Sequence, residues 1–275
     1  MIVLSSELYR EVLQRIKNFP GLSIECLHLL HQTYPQFSPR TIWSILSWEH
    51  KERLPEDYSK IQQNSPELLQ DYERRIEKDP TCEFTVLVMA AERRYSPFIL
   101  SRILLKEKLK TNEYKANKLL FHPHRIHDEV LRRNVEQCIE LDILEGPVPD
   151  AYRDKIGVFF ENMLYSILSS AGISFDTQVD LQKKGYRKTP DARLLSRCFY
   201  RGRRIHWIES KAFFGNTFNH GKVVQRQLTP YSEEFGAGIV IYWMGFVTDI
   251  LEDVPSKENV FIRCDFPSPQ EFSVL

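Results

Sequence analysis

Asp191, Glu209 and Lys211 are the side chains of this sequence whose types and spacing could do chemistry. Glu209 and Lys211 interrupt the otherwise apolar stretch IHWIESKAFFG (205–215), and Asp191 follows a Thr-Pro turn eighteen positions upstream of Glu209. An E-x-K triplet says little alone. Glu49–Lys51 and Glu113–Lys115 repeat it in polar, helical-looking stretches, where they read as surface charges. The third triplet differs in its setting: on a strand, residues two apart project from one face, so Glu209 and Lys211 point together. Asp191 and Glu209 also stand symmetrically about residue 200. A hairpin turning through CFYRG (198–202) would set them opposite each other on adjacent strands. Two carboxylates side by side repel unless one is protonated or a cation bridges them. Hard oxygen ligands of this kind suit Mg²⁺ or Mn²⁺, with water and a substrate phosphate completing the shell. Such a metal polarises a scissile phosphate and lowers the pKa of a bound water. Lys211, beside that water, could orient it and offset charge in the transition state. The alternative is a structural Glu–Lys or Asp–Arg pair at a strand end.

The charge around these residues is segregated. The chain balances 37 basic against 37 acidic residues. Yet residues 182–226 hold twelve Lys/Arg against two acids, and those two are Asp191 and Glu209. Residues 93–133 hold eleven Lys/Arg against four acids. A basic field around an isolated carboxylate pair is what cleavage of a polyanion requires. Either run taken alone also reads as a solvated basic face.

With 275 residues, 42% hydrophobic and 27% charged, the chain has the composition of a soluble globular protein of one large or two ordinary domains. MIVLSSELYREVLQ at the N-terminus carries acids early and reads as an amphipathic helix, not a signal peptide. The longest apolar run, FGAGIVIYWMGFV (235–247), is too short to span a bilayer as a helix. Five scattered cysteines without a C-x-x-C pair argue against a disulfide framework or a zinc ribbon. A soluble intracellular protein, cytoplasmic or nuclear and without a membrane partner, is the expectation. The histidines of HPHRIHDEV (122–130) lack the Cys or carboxylate companions of a metal site.

Two kinds of element must position the charged residues. Apolar residues recur at helical spacing through 4–16, 23–31, 41–48, 84–91 and 98–109, and charged 50–80 reads as a helical connector. LLHQTYPQFSPRTIWSILSWE (29–49) matches LVMAAERRYSPFILSRILLKE (87–107). In each copy an aromatic precedes Ser-Pro, with Ser38 and Ser96 as N-caps and Pro39 and Pro97 at the first helical position. Ile42, Ile45 and Leu46 correspond to Leu100, Ile103 and Leu104. Helix, short turn and capped helix is helix-turn-helix geometry, which reads a DNA groove in some proteins and is a plain αα-hairpin in others. Arg102 and Lys106, in the more basic second copy, are candidate substrate contacts. Helices at 128–141 and 152–171 follow, separated by a turn at EGPVPD (145–150). Strands are predicted at 173–181, 191–195, 203–210, 237–243 and 260–266, with a helix near 220–234 among them. The fold class is therefore α/β (α+β): a helical domain, 1–125, then an α/β domain with a mixed sheet, 126–275.

TPD at 189–191 followed by WIESK at 207–211 resembles the PD-(D/E)XK nuclease signature. More specifically, KGY-KTPD, IHWIESKA-FG and G-VIYW-GF resemble the codanin-interacting nuclease family, related to archaeal Holliday-junction resolvases. QCIE-D---GP (137–147) and IG--FE--L (156–164) extend the likeness, and the N-terminal repeat fits that family's helix-turn-helix region. The resemblance implies a restriction-endonuclease-like domain with Asp191, Glu209 and Lys211 as catalytic core and Glu161 as an added carboxylate. Mg²⁺ (or Mn²⁺) would then be held by Glu161, Asp191, Glu209 and the backbone carbonyl of Ser210. QLTPY matches a Q-x-x-x-Y element, so Gln227 and Tyr231 would contact substrate or support the site, although Pro230 is expected to kink or end the helix before Tyr231. GVFF at 157–160 is more apolar than the family pattern. The function implied is metal-dependent hydrolysis of nucleic acid, structured or single-stranded DNA foremost, with a codanin-like partner; a homodimer is compatible. The rival is an adaptor that keeps the fold for docking and turns over weakly.

Overall fold

A computed structural model describes residues 2–252 and 259–275. Strand β1 (Val3–Leu4) precedes helices α1 (Ser6–Asn18), α2 (Ser23–Thr33), α3 (Pro39–Gln63), α4 (Ser65–Lys78), α5 (Thr85–Arg93), α6 (Pro97–Lys108), α7 (Glu113–Phe121), α8 (Glu129–Leu141) and α9 (Pro147–Ser170). There follow β2 (Phe175–Thr177), α10 (Gln178–Lys183), β3 (Ala192–Tyr200) and β4 (Arg203–Lys211). Then come α11 (Thr217–Val223), α12 (Thr229–Phe235), β5 (Gly238–Tyr242), β6 (Phe246–Val247), β7 (Val260–Arg263) and β8 (Phe272–Val274). Contacts divide the chain into two units. One comprises Met1–Val12, Phe37–Ile45 and Arg153–Leu275; the other Leu13–Gln36 and Leu46–Tyr152. Among the described residues no helix is long and apolar enough to cross a membrane.

The second of these units is helical. Ser96 Oγ accepts the Ile99 N–H at 3.2 Å, so the serine-proline pair opens α6 as the sequence predicts. The matching serine, Ser38, which belongs to the other unit, accepts from Thr41 N–H at 3.1 Å at the start of α3. Leu100, Ile103 and Leu104 of α6 are buried with Val86 and Met89 of α5, Tyr72 of α4, and Leu131 and Val135 of α8. Asp142, just past α8, is buried without an unpaired oxygen. It accepts from Ser96 Oγ at 2.5 Å, and from the N–H groups of Phe98, Leu144 and Glu145 at 2.9–3.1 Å. Four donors on one carboxylate explain why a buried acid stands in QCIELD (137–142).

The other unit carries a mixed six-stranded sheet in the order β2-β3-β4-β5-β7, with β8 also paired to β3. β2, β3 and β4 run antiparallel, and β4, β5 and β7 parallel. Leu164 and Leu168 of α9 join Ala192, Ile208, Ile239 and Ile241 in its core. The β3–β4 hairpin turns through Arg201 and Gly202, whose φ values of 49° and 80° suit the tight turn that matches strand twist. That turn alone would not align the site. Near the tip Tyr200 pairs with Arg203 and Cys198 with Ile205; past an irregularity between Arg193 and Cys198, Arg193 pairs with Trp207 and Ala192 with Ile208. Continuing the tip register would set Asp191 against Ala212. The bulge resets it against Glu209.

Several predicted boundaries move. The strand expected at 173–181 ends at Thr177, because Thr177 and Asp180 form a reciprocal cap that opens α10. EGPVPD is not a free turn: Pro147 begins α9, where the first turn needs no proline N–H. Helix α7 and strands β1, β6 and β8 lie outside the predicted set.

Candidate active site

Trp207, Glu209 and Lys211 alternate along β4 with the buried Ile208 and Ser210. Glu209 is 2% exposed and Asp191, at the entry to β3, is 8% exposed. The pair is tied by crossed hydrogen bonds. Asp191 N–H donates to Glu209 Oε2 at 3.2 Å, and Ser210 N–H donates to Asp191 Oδ2 at 2.8 Å. Lys211 Nζ donates to Glu209 Oε1 at 2.6 Å. Burial above all, then the neighbouring Glu209, pushes the Asp191 carboxyl well above its usual range, against the pull of Lys211 and the Ser210 N–H. Glu161 on α9 is half-buried and also raised, by burial first and then by Glu209. Three carboxyl groups thus share one lysine.

That donor set fits a hard divalent cation: it is all oxygen, over-supplied with negative charge and held on rigid strands. Among the described residues no three His, Cys, Asp or Glu side chains close into a metal cluster by themselves. A cation that keeps several waters and takes one or two carboxylates, as Mg²⁺ does, needs no such cage. The pair also lies by the carboxyl end of β4, which is parallel to β5; ligands of α/β sheets gather at such ends.

A family described as "Protein of unknown function TPD sequence-motif" matches residues 127–266, a span that contains Thr189-Pro190-Asp191. Among curated proteins the chain is similar to CDAN1-interacting nuclease 1 of Mus musculus, 32% identical over 97% of this chain and 96% of the relative. The Homo sapiens protein of the same name is 31% identical over the same shares, and that of Gallus gallus 30% identical over 89% and 88%. The chain belongs to the CDAN1-interacting nuclease family. No solved structure matches it.

Within this family member the Q-x-x-x-Y element is one continuous helical run. Val224–Leu228 winds as a π turn, with Thr229 N–H bonded to Val224 O, before α12 resumes. Pro230 therefore falls in the first turn of α12, where it needs no donor, and the expected break before Tyr231 does not occur. Tyr231 hydroxyl donates to Thr189 O at 3.3 Å, Gln227 hydrogen-bonds to the same tyrosine, and the Tyr231 ring meets Trp207 edge-on at 5.6 Å. Tyr231 thus spans the residues leading into Asp191 and into Glu209. Trp207 is pinned in turn by its Nε1–H on Gly236 O at 2.8 Å.

Arg102 and Lys106 lie on α6, in the helical unit. The Arg102 guanidinium sits 5.2 Å from the Tyr58 ring and 3.8 Å from Glu113, whereas Lys106 has no carboxylate partner among the described residues. Two groups escaped the sequence reading. Tyr165, four residues after Glu161 and so on the same helix face, has its hydroxyl pKa raised by burial and then by Asp191, Glu161 and Glu209. Trp243 Nε1 donates to Ser210 Oγ at 2.8 Å, and its ring stacks on Phe160 at 5.3 Å. The spacing Glu161–Tyr165 was a readable signal; a tryptophan one residue past β5 was not.

Proposed function

We propose that this chain is a metal-dependent nuclease of PD-(D/E)XK type that hydrolyses phosphodiester bonds, structured or single-stranded DNA foremost. The observation that carries the reading is the buried Asp191–Glu209 pair on adjacent strands with Lys211 on Glu209. Asp191 and Glu209, with Glu161 and the Ser210 carbonyl, would hold Mg²⁺ or Mn²⁺. Bound there, the ion would supply Lewis-acid polarisation of the phosphate and a water of lowered pKa. Asp191 must give up its proton to serve, which ties activity to deprotonation of this residue. Lys211, fixed beside Glu209, orients the attacking water and offsets charge on the phosphoryl oxygens. Tyr231 and Gln227 hold the Thr189–Asp191 turn in place. The basic residues of 182–226 attract the polyanion, and Lys106 offers a further phosphate contact. The relatives are named for interaction with CDAN1, which supports a codanin-like partner here; the scattered cysteines without a pairing pattern support work in the nucleus or cytoplasm.

The test is cleavage of single-stranded, flapped and four-way-junction DNA, and of RNA, by purified protein with Mg²⁺, Mn²⁺ or EDTA. Cutting that EDTA and Asp191→Ala both abolish is the expected result. Cutting no different from the Asp191→Ala control overturns the nuclease reading and leaves the adaptor.

A further inference from the structure

The apolar GVFF segment (157–160) occupies α9 immediately before Glu161. Phe160 is buried, whereas Val158 and Phe159 are 56% and 51% exposed, an unusual use of two large apolar side chains beside a charged site. Phe159 is not a loose surface ring. It meets Phe160 edge-on at 5.2 Å and 79°, and Phe160 stacks on Trp243 at 5.3 Å and 12°. Trp243 ends the ladder with its hydrogen bond to Ser210 Oγ, on the face of β4 opposite to that of Glu209 and Lys211. Three aromatic rings thus run without a break from Ser210 of β4 to the surface. At the outer end the Arg40 guanidinium lies 5.5 Å from the Phe159 ring and 6.0 Å from that of Phe160. Arg40 is exposed and has no carboxylate partner among the described residues. Lys155, also exposed, lies one helical turn before Phe159.

An exposed aromatic face flanked by unpaired cations is the pattern with which proteins hold nucleic acid whose bases are unstacked. Each ring takes a base, sequence matters little, and the cations take the neighbouring phosphates. A fully paired duplex offers no free base to such a ring. We propose that Phe159, with Arg40 and Lys155 beside it, is a stacking platform for an unpaired base of the strand whose backbone enters the Asp191–Glu209 site. The substrate class is therefore single-stranded or branched nucleic acid. This rests on the nuclease reading and deepens it.

The experiment uses the full chain in EDTA, so that nothing is cut. The probes are a 20-nucleotide single strand carrying one 2-aminopurine and the same strand annealed to its complement. Wild type should bind the single strand more tightly and quench its fluorescence. Phe159→Ala should abolish the quenching and weaken single-strand binding about tenfold, the loss of one base stack, while leaving duplex affinity unchanged. Phe159→Trp should restore both. Circular dichroism confirms that the variants fold. Wild-type quenching that persists in Phe159→Ala, or an equal loss on both probes, overturns the platform alone. The ring is then left to the apolar side chain of a protein partner. Wild type that binds neither probe overturns the nucleic-acid reading itself.

Discussion

The chemistry of the site is that of three carboxyl groups and one ammonium in a dry place. Taking Glu209 out of water is costly unless a charge partner comes with it, and Lys211 is that partner at 2.6 Å. Among the described residues Asp191 accepts from the Ser210 N–H and has no ammonium bonded to it, so burial keeps its proton on beyond the usual carboxylate range. These are opposite solutions to one problem on neighbouring strands. Lys211→Gln preserves a donor to Glu209 but removes the charge that balances phosphoryl oxygens. It should lower kcat for oligonucleotide cleavage by about 10²–10³-fold, the loss typical of one such electrostatic contact, with a smaller change in KM. Steady-state cleavage within threefold of wild type would remove Lys211 from the mechanism. At this scale the sequence was informative. Glu209 and Lys211 were separable from two other E-x-K triplets because only they sat in an apolar strand with no further acid near except Asp191, although Glu49, read as a surface charge, is buried beside Arg53. Tyr165 was legible only through its spacing from Glu161, and Trp243 was not separable, because a tryptophan after a strand is an ordinary core residue until its Nε1 is located.

Between elements, alignment depends on irregularities that no periodicity announces. Asp191 and Glu209 are equidistant from residue 200, yet the hairpin turns at Arg201 and Gly202, and the bulge between Arg193 and Cys198 supplies the correction. The expected juxtaposition is present for a reason that composition and pattern did not contain. The π turn before Pro230 is a second case: a proline reads as a helix breaker, and only the wider turn shows how the chain carries Tyr231 past it. What the residue pattern did reveal was the serine caps of α3 and α6 and the mixed sheet. A third constraint is spatial. A Cβ at Gly238 would lie 2.1 Å from Trp207 Cδ2, so the β5 backbone must stay bare for the indole to lie across it. Gly238→Ala should destabilise the protein by about 1–3 kcal/mol or more, as overpacking of a core does, and should reduce turnover by shifting the strand that carries Glu209. Urea unfolding that loses less than about 0.5 kcal/mol, within the range of a surface change, would show that the tryptophan moves freely.

For the molecule as a whole, the buried pair makes stability a function of pH and divalent cation. The native state holds the Asp191 proton to higher pH than the unfolded chain does, since its carboxyl is raised by burial and by Glu209. A raised acid contributes stability that is fully present below its unfolded pKa, about 4, and is lost as pH rises through the folded value. Each tenfold difference in proton affinity between the two states is worth about 1.4 kcal/mol. Asp191→Asn is neutral at every pH and so lacks that loss. In EDTA the variant should match wild type near pH 4 and gain on it progressively toward neutrality, read as unfolding free energy against pH. Subtracting the two curves removes the other carboxylates, Glu161 included, that titrate in both proteins. Magnesium should reverse the order at neutral pH. A ligand that binds only the folded state stabilises it by about 2.7 kcal/mol at a hundredfold excess over Kd, and the variant has lost one of the two buried carboxylates. Wild type should therefore rise in Tm with millimolar Mg²⁺ while Asp191→Asn moves little. Parallel pH curves, or equal Mg²⁺ shifts in both proteins, would mean that Asp191 neither stores a proton nor receives a cation, and that Glu209 and Lys211 form only a strand-end salt bridge.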